Sequence, residues 1–143
     1  MSRANADVRV SYKFTKSLPR REVLALYRSV QWSAANRPSR LLRALERSHC
    51  VVSAWVDGAL VGLGNAISDG SLVVYYPHLL ISPKFQRLGI GREIMKRLMN
   101  RYRGFHQHML VADAKAVRFY RECGFERAGK TIPMWVFKDS EHG

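Results

Sequence analysis

The chain has little cysteine, few acidic side chains and no long apolar run over its 143 residues. Its two cysteines, Cys50 and Cys123, are too few to build a disulfide framework, which favours a reducing, intracellular compartment. No apolar stretch approaches the ~20 residues that a membrane-spanning helix needs, and the polar N-terminal segment has no apolar core of the kind found in signal peptides. We therefore expect a cytoplasmic protein that has no membrane partner.

The shortage of acidic residues leaves a strong positive charge. Lysine and arginine number 24 against 11 aspartates and glutamates, for a formal net charge of +13. This excess favours a polyanionic partner, either a nucleic acid, an anionic surface or a phosphorylated cofactor. The basic residues are scattered and no helix-turn-helix, zinc-finger or aromatic RNA-binding pattern accompanies them, so nucleic-acid binding is not the favoured explanation. His106 and His108 have no apparent third ligand, so no metal site is expected.

The hydrophobic pattern predicts one α/β (α+β) domain over residues 1–143, with its core at about residues 8–138. About seven strands and about four helices are expected, in the order β-α-α-β-β-β-α-β-α-β-β. Early hairpins, one of them with a two-residue turn at Asp57-Gly58, and later crossover helices imply a mixed, mostly antiparallel twisted sheet with helices on both faces. Pro77 should break or kink the fourth strand, because proline cannot donate a ladder hydrogen bond. The predicted strands are residues 8–14, 50–56, 60–67, 72–81, 107–111, 125–126 and 134–138, and the helices are 17–29, one from 38 onward, 92–102 and 114–122.

The most specific local pattern is Gln86-Arg87-Leu88-Gly89-Ile90-Gly91, which follows an apolar stretch and opens an amphipathic segment. The first N–H groups of a helix have no partner inside it, and the helix dipole adds positive charge there. Gly89 and Gly91 carry no Cβ, so a phosphate oxygen can approach the backbone closely. No Gly-Lys-Ser/Thr follows, and Ile94 stands where a dinucleotide fingerprint has its third glycine. The pattern therefore predicts a pyrophosphate site of another kind.

Three patterns together resemble the GNAT superfamily of acetyl-CoA-dependent N-acetyltransferases. They are Gln86-x-x-Gly89-x-Gly91 after Ser82-Pro83, the run Asp113-Ala114-Lys115-Ala116-Val117-Arg118-Phe119-Tyr120, and Phe119-Tyr120-x-x-x-Gly124-Phe125. With the element order, the resemblance covers residues 8–138. Residues 44–48, 68–70 and 112–113 are also similar to a small branch that includes plant and cyanobacterial arylalkylamine (serotonin-type) N-acetyltransferases.

The resemblance implies that the loop holds the pyrophosphate of coenzyme A. The backbones of Leu79 and Ile81 would pair with the pantetheine arm like an added strand. Lys84, Arg87, Arg92 and Lys96 are either ligands of the remaining phosphates or a solvated helix face. The implied cofactor-binding residues are Leu79, Leu80, Ile81, Gln86, Arg87, Leu88, Gly89, Ile90, Gly91, Arg92, Asp113, Phe119 and Tyr120.

Two positions depart from the family pattern. Arg87 stands where a small residue, commonly glycine, is usual, and arginine there requires a backbone φ below zero. Asp113 stands where asparagine is frequent, and an ionised aspartate only accepts hydrogen bonds. Asp113 is therefore either a cofactor ligand, as the arylalkylamine branch suggests, or a helix N-cap.

Acetyl transfer to an amine needs a proton acceptor, an oxyanion donor and a proton donor for the leaving thiolate. A strand N–H near Leu80 suits the oxyanion, and the resemblance assigns the leaving group to Tyr120. His78 is suited to accept the amine proton, with a histidine hydrogen-bonded in the sheet as the alternative. Aromatic residues near the first helices and the central strand form either an acceptor pocket or ordinary core; they are Tyr27, Trp32, Tyr75, Tyr76 and Trp135.

These patterns predict direct acetyl transfer to a primary amine in a ternary complex, with a small-molecule acceptor, such as an arylalkylamine, favoured. No acyl-enzyme is expected, because Cys123 is placed for packing against Gly124. The alternatives are a protein lysine or N-terminal acetyltransferase, a non-catalytic acyl-CoA-binding regulatory module, and a basic nucleic-acid-associated protein. The resemblance also implies a homodimer.

Overall fold

The computed structural model describes residues 8–136, which form six strands and four α-helices. The predicted mixed α/β class is confirmed, with one strand fewer than expected. In chain order the elements are β1 (Ser11–Lys13), α1 (Arg20–Ser29), α2 (Pro38–Arg47), β2 (Cys50–Val56), β3 (Ala59–Ser68), β4 (Val73–Tyr75), β5 (Leu79–Ile81), α3 (Ile90–Arg101), β6 (Gln107–Met109) and α4 (Val117–Glu122), with 3₁₀ turns at Ser33–Asn36, Pro83–Phe85 and Ala114–Ala116. None of the helices in this part of the chain is long and apolar enough to cross a membrane.

The sheet runs in the order β1-β2-β3-β4-β6, and β5 also pairs with β3. All pairs are antiparallel except β4 with β6. The tight β2–β3 hairpin expected at Asp57-Gly58 is confirmed, because both residues have positive φ values, +48° and +79°. This is the backbone that a two-residue type I′ turn requires.

The single strand predicted for residues 72–81 is wrong, because the chain forms two short strands there, β4 and β5. Both pair with β3, in registers that include Ser68↔Val74 and Leu63↔Leu80. Between these pairs the register advances by one residue, which is a β-bulge around Pro77. The expected break at Pro77 is confirmed. Its consequence is a change of face: Val74 and Tyr76 are buried on the α3 side of the sheet, whereas Leu80 is buried on the α1 side.

Helices cover both faces of the sheet, as predicted. α1 and α2 bury Val23, Tyr27 and Leu45 against one face, and α3 buries Ile94 and Leu98 against the other. Close approach of α3 depends on a glycine in β3, because a Cβ on Gly64 would lie 2.7 Å from Ile94 Cγ2. The arginines of α2, which are Arg40, Arg43 and Arg47, are exposed.

The late part of the chain departs most from expectation. Residues 125–136 form no strand, so the strand predicted at 125–126 is wrong, and the described part of the one predicted at 134–138 is not a strand either. Residues 137–138 lie outside the described range. Ile132, Met134 and Val136 are 80%, 93% and 98% exposed. A strand gains stability only from neighbours on its edges and faces, and this segment has no paired strand in residues 8–136.

Candidate active site

The glycine loop leads directly into the first turn of α3. The first hydrogen bond of this helix runs from the Glu93 N–H to the Gly89 carbonyl, at 3.0 Å. Within residues 8–136, the N–H groups of Ile90, Gly91 and Arg92 donate to no backbone carbonyl. They lie at the positive end of a 12-residue helix. This is the arrangement that binds an anionic group.

The two glycines of the loop serve different purposes. Gly89 is the N-cap with φ +82° and has no atom within 4 Å of the place where a Cβ would stand, so it faces open space. A Cβ on Gly91 would instead lie 3.3 Å from Phe119 Cζ. Gly91 therefore allows Phe119 of α4 to pack against α3. Only Gly89 fits the expectation of open access for a phosphate.

Arg87 contradicts the expectation that arginine requires a φ below zero, because its φ is +67°. The loop reverses direction within a few residues, from extended Gln86 to left-handed Gly89. A left-handed backbone costs a side-chain-bearing residue about 1 kcal/mol. This cost gives a physical reason for the usual small residue at this position. The Arg87 side chain is exposed.

The outer edge of β5 presents backbone groups that β3 does not use. The Ser82 N–H donates to the Val61 carbonyl at 2.8 Å, and the Asn65 N–H donates to the His78 carbonyl at 3.1 Å. The backbone N–H and C=O groups of the even-numbered residues 78, 80 and 82 therefore point towards β3. By alternation, Leu79 and Ile81 turn their N–H and C=O groups to the opposite edge. Gln86 Nε2 donates to the Ile81 carbonyl at 3.1 Å.

β6, which pairs with β4 on the side away from β3, ends before it reaches the outer edge of β5. The parallel pairing of β4 with β6 ends at Tyr75↔Met109, followed by one bond from the Tyr76 N–H to the Met109 carbonyl at 3.0 Å. No strand among the described residues pairs with the outer edge of β5. The outer edge of β5 is therefore open beyond this point. Because the Leu80 N–H faces β3, Leu80 itself does not offer the outward-facing N–H that was expected near it; Leu79 and Ile81 do.

The cationic candidates near the loop are all exposed. Arg92 forms an ion pair with Glu122 of α4 at 2.9 Å, with side chains 61% and 48% exposed. Lys84 and Lys96 are also exposed. Exposed pairs contribute roughly 0–1 kcal/mol, so Arg92 can exchange Glu122 for a phosphate at little cost.

Tyr120 lies on α4, half-buried between Phe119 and Phe125, with ring centroids 5.1 and 6.1 Å away. Burial raises the pKa of Tyr120 to about 12, so its hydroxyl keeps its proton at neutral pH. The ring lines a cavity of about 280 Å³ between β6 and residues 125–128. Asp113 occupies the N-cap position of the 3₁₀ turn, but its exposed side chain makes no capping hydrogen bond.

His78, Tyr27 and Trp32 form one cluster beneath α1. The Tyr27 hydroxyl and His78 Nδ1 are hydrogen-bonded at 2.8 Å. The His78 ring lies 5.4 Å from the Tyr27 ring and 5.3 Å from the Trp32 ring. Tyr27 is fully buried, and burial raises its pKa, so the hydroxyl remains neutral. Because Tyr27 has no exposed surface, it contacts His78 and does not itself line an open pocket.

The other predicted aromatic residues lie apart from this cluster. Tyr76 is buried on the α3 side, where its hydroxyl and His108 Nδ1 are hydrogen-bonded at 2.8 Å. Tyr75 is 39% exposed and Trp135 is 61% exposed. The bulge at Pro77 explains the separation of Tyr76 from His78, because two residues that alternation would place on one face lie on opposite faces. Among residues 8–136, no group of three potential metal ligands is present.

Sequence reasoning missed a buried polar chain behind His78. Asn65 is 4% exposed; its Oδ1 accepts the His78 N–H at 2.9 Å, and its Nδ2 donates to Ser48 Oγ at 3.0 Å. Ser48 Oγ in turn donates to the Ala44 carbonyl of α2, at 2.9 Å. The available signal was an asparagine inside an otherwise apolar strand.

Known proteins resemble this chain in sequence and fold. A family model described as acetyltransferase (GNAT) domain matches residues 27–134. Serotonin N-acetyltransferase 2, chloroplastic, from Oryza sativa subsp. japonica is 35% identical over 95 residues, which are 60% of this chain and 46% of that protein. An uncharacterized N-acetyltransferase, ycf52, from Porphyra purpurea is 30% identical over 78% of this chain and 67% of its own length. The solved structure of a GNAT-family acetyltransferase from Streptococcus pneumoniae TIGR4 is similar, with a TM-score of 0.79 at 29% identity, covering 92% of this chain and all of that one. This chain thus spans about half the length of the rice protein.

Proposed function

We propose that this chain, which belongs to the GNAT family of acetyltransferases, is an N-acetyltransferase that transfers the acetyl group of acetyl-CoA directly to a small primary amine bound beside His78. The observation that carries the proposal is the continuous set of outward-facing backbone groups. It runs from the free edge of β5 to the start of α3. One long ligand with amides in its middle and phosphates at its end matches that order of groups.

Coenzyme A is held mainly by the backbone in this proposal. The Leu79 carbonyl and the Ile81 N–H pair with the pantetheine amides as a further strand would. The N–H groups at the start of α3 bind the diphosphate, with Arg87 and Arg92 as exposed cations beside it. The fit is favourable because these backbone groups need partners and carry no negative charge.

The chemical step follows from three groups. The Leu79 N–H faces the open edge and donates to the thioester carbonyl oxygen as it gains negative charge. His78 accepts the proton of the amine, directly or through water, and the amine nitrogen forms the new C–N bond. As the C–S bond breaks, the Tyr120 hydroxyl, which remains protonated, donates its proton to the sulfur. The thioester supplies the acetyl group, so no covalent enzyme intermediate is required; burial raises the pKa of the Cys123 thiol.

The acceptor site is formed by Trp32 and His78, both half-buried on the α1 side of the sheet. An aromatic ring against an imidazole suits a compact amine with apolar or aromatic character. The name of the rice relative supports an arylalkylamine. A protein lysine or N-terminus is the second candidate, and it would need a more open groove.

An acetylation assay that detects free thiol, with a panel of tryptamine-type amines, polyamines and lysine peptides, tests the proposal. We expect the tryptamine-type amines to have the highest kcat/KM. A preference for lysine peptides would overturn the small-molecule acceptor. Coenzyme A binding by calorimetry without turnover of any amine would indicate a regulatory acyl-CoA-binding module.

We also propose that the protein forms a homodimer through its late segment. The outer edge of β6 has no paired strand in residues 8–136, and a cavity lies beside it. Residues 131–136 expose apolar side chains, including those of Ile132, Met134 and Val136. A second copy can supply this segment to β6, and a two-fold axis repeats the contact. Sedimentation should give a dimer that Met134→Asp weakens; a monomer at micromolar concentration contradicts this assignment.

A further inference from the structure

The bulge at Pro77 creates a gap in the hydrogen-bond ladder beside His78. Proline has no N–H, and the register shift leaves the His78 N–H without its usual backbone carbonyl on β3. The side chain of Asn65 fills this position, because its Oδ1 accepts that N–H at 2.9 Å while its own backbone N–H donates to the His78 carbonyl at 3.1 Å. One residue of β3 therefore holds both backbone groups of His78.

The orientation of the Asn65 carboxamide is fixed by its second partner. Its Nδ2 donates to Ser48 Oγ at 3.0 Å, and the Ser48 hydroxyl is committed as a donor to the Ala44 carbonyl at 2.9 Å. Ser48 therefore accepts from Asn65 and has no proton to offer it. Ser48 and Asn65 are 3% and 4% exposed, so water does not compete for these bonds. An aspartate at position 65 would place a carboxylate oxygen against the lone pairs of Ser48.

We propose that Asn65, oriented by Ser48, is a positioning residue that sets the His78 imidazole and the outward-facing N–H of Leu79 for acetyl transfer. The proposal rests on the proposed function of His78 and Leu79. Asn65 touches neither substrate. It acts by holding the backbone of His78 in place. This fixes the direction of the His78 ring towards Tyr27 and Trp32. It also fixes the register of β5, in which the Leu79 N–H points away from β3.

The chain offers a matched control. Ser53 on β2 is also a buried serine, at 0% exposure; it accepts a hydrogen bond from Trp55 Nε1 at 2.8 Å and donates to Lys13 O at 3.4 Å. Ser48→Ala and Ser53→Ala remove the same group from equally buried sites. Only Ser48 is connected to His78 through Asn65.

The test measures kcat as a function of pH, together with coenzyme A affinity by calorimetry, for Asn65→Ala, Asn65→Asp, Ser48→Ala and Ser53→Ala. A displacement of the order of 1 Å costs up to about a hundredfold in rate. We expect kcat to fall by about tenfold or more in the two Asn65 variants and less in Ser48→Ala, with the acidic limb of the pH profile displaced. Coenzyme A affinity should fall much less than kcat, because the N–H groups at the start of α3 are not connected to Asn65, and Ser53→Ala should keep the wild-type profile. Equal kcat losses in Ser48→Ala and Ser53→Ala, or a wild-type pH profile in Asn65→Ala, would overturn the proposal.

A second measurement does not depend on turnover. The ¹⁵N chemical shifts of the His78 ring across a pH titration report its tautomer and protonation. They should shift in Asn65→Ala and Ser48→Ala and stay unchanged in Ser53→Ala; unchanged shifts in all three overturn the positioning role. If the wild-type protein acetylates no amine while the His78 signals respond to Asn65, the proposed function fails and the positioning of His78 stands. Where Asn65→Ala does not fold, Ser48→Ala carries the same comparison.

Discussion

The two ends of β5 use their polar groups in opposite ways. At the start, His78 is bonded through its backbone to Asn65 and through its ring to Tyr27, both buried. Beyond the other end, Gly89 faces open space, and the first N–H groups of α3 donate to no backbone carbonyl of the described chain. The contrast indicates that the fold itself holds His78, at the acceptor end, in one position. At the cofactor end, the N–H groups at the start of α3 are still able to bind a ligand. Substitutions at the two ends should therefore separate turnover from coenzyme A binding.

The largest separation is expected at the cofactor end, from Gly89→Val. A β-branched residue at φ +82° is strained, so the loop should change conformation and the amides should lose their alignment, although no atom blocks the side chain. We expect coenzyme A affinity to fall by about a hundredfold or more, since several charge-assisted hydrogen bonds are lost together. Calorimetry measures this directly.

Gly58→Val is the matched control for that substitution. Gly58 has φ +79° and likewise nothing within 4 Å of a Cβ, but it lies in the β2–β3 hairpin. The two variants should lose similar folding stability, and only Gly89→Val should lose coenzyme A. Unchanged affinity in Gly89→Val would break the assignment of the loop.

An effect on the rate alone is expected from Tyr120→Phe. Loss of a proton donor typically costs about 10²- to 10⁴-fold, and the hydroxyl contributes little to holding the ring between Phe119 and Phe125. We expect kcat to fall within that range while acetyl-CoA affinity changes by less than about threefold. Because the pKa of Tyr120 is raised to about 12, wild-type kcat should not lose this donor at neutral or mildly alkaline pH. A Tyr120→Phe enzyme with the full rate would remove Tyr120 from the mechanism.

The smallest effect is expected at Arg87, where charge and backbone strain oppose each other. Arg87→Gly relieves a left-handed arginine at φ +67°, so the free energy of unfolding should rise by about 0.5–1 kcal/mol. Coenzyme A affinity should fall by only a few-fold, in a salt-dependent manner, because an exposed cation is screened. Denaturant unfolding and calorimetry give the two values.

Gln31→Gly provides the control for Arg87, since Gln31 also has a left-handed backbone, at φ +61°, away from the loop. It should be stabilised by a similar amount with no change in coenzyme A affinity. An Arg87→Gly protein that is less stable than wild type would show that its side chain makes contacts that outweigh the strain.

Local patterns predicted the elements that depend on local chemistry. Asp57-Gly58 determines its hairpin through positive φ values, and the glycine loop marks the start of α3 within two residues. The break at Pro77 also followed from the missing N–H. The sequence did not predict that the break moves the following side chains to the opposite face of the sheet. That change depends on how the strand pairs with β3, which is a non-local property.

The errors share this non-local origin. Asn65 is one polar residue in an apolar strand, and its role depends on Ser48, which lies 17 positions earlier in the chain. The late strands failed because a β pattern needs a neighbouring strand, and residues 125–136 have none within the described chain. Arg87 was assigned the wrong sign of φ because loop closure outweighs the preference of a single residue.

A crystal structure with bound acetyl-CoA would show whether the glycine loop holds the cofactor. We expect the diphosphate oxygens within about 3 Å of the N–H groups of residues 86–92, the pantetheine amides paired with Leu79 and Ile81, and the sulfur within reach of the Tyr120 hydroxyl. A ligand bound elsewhere, or a loop whose amides are occupied by its own side chains, would contradict this expectation.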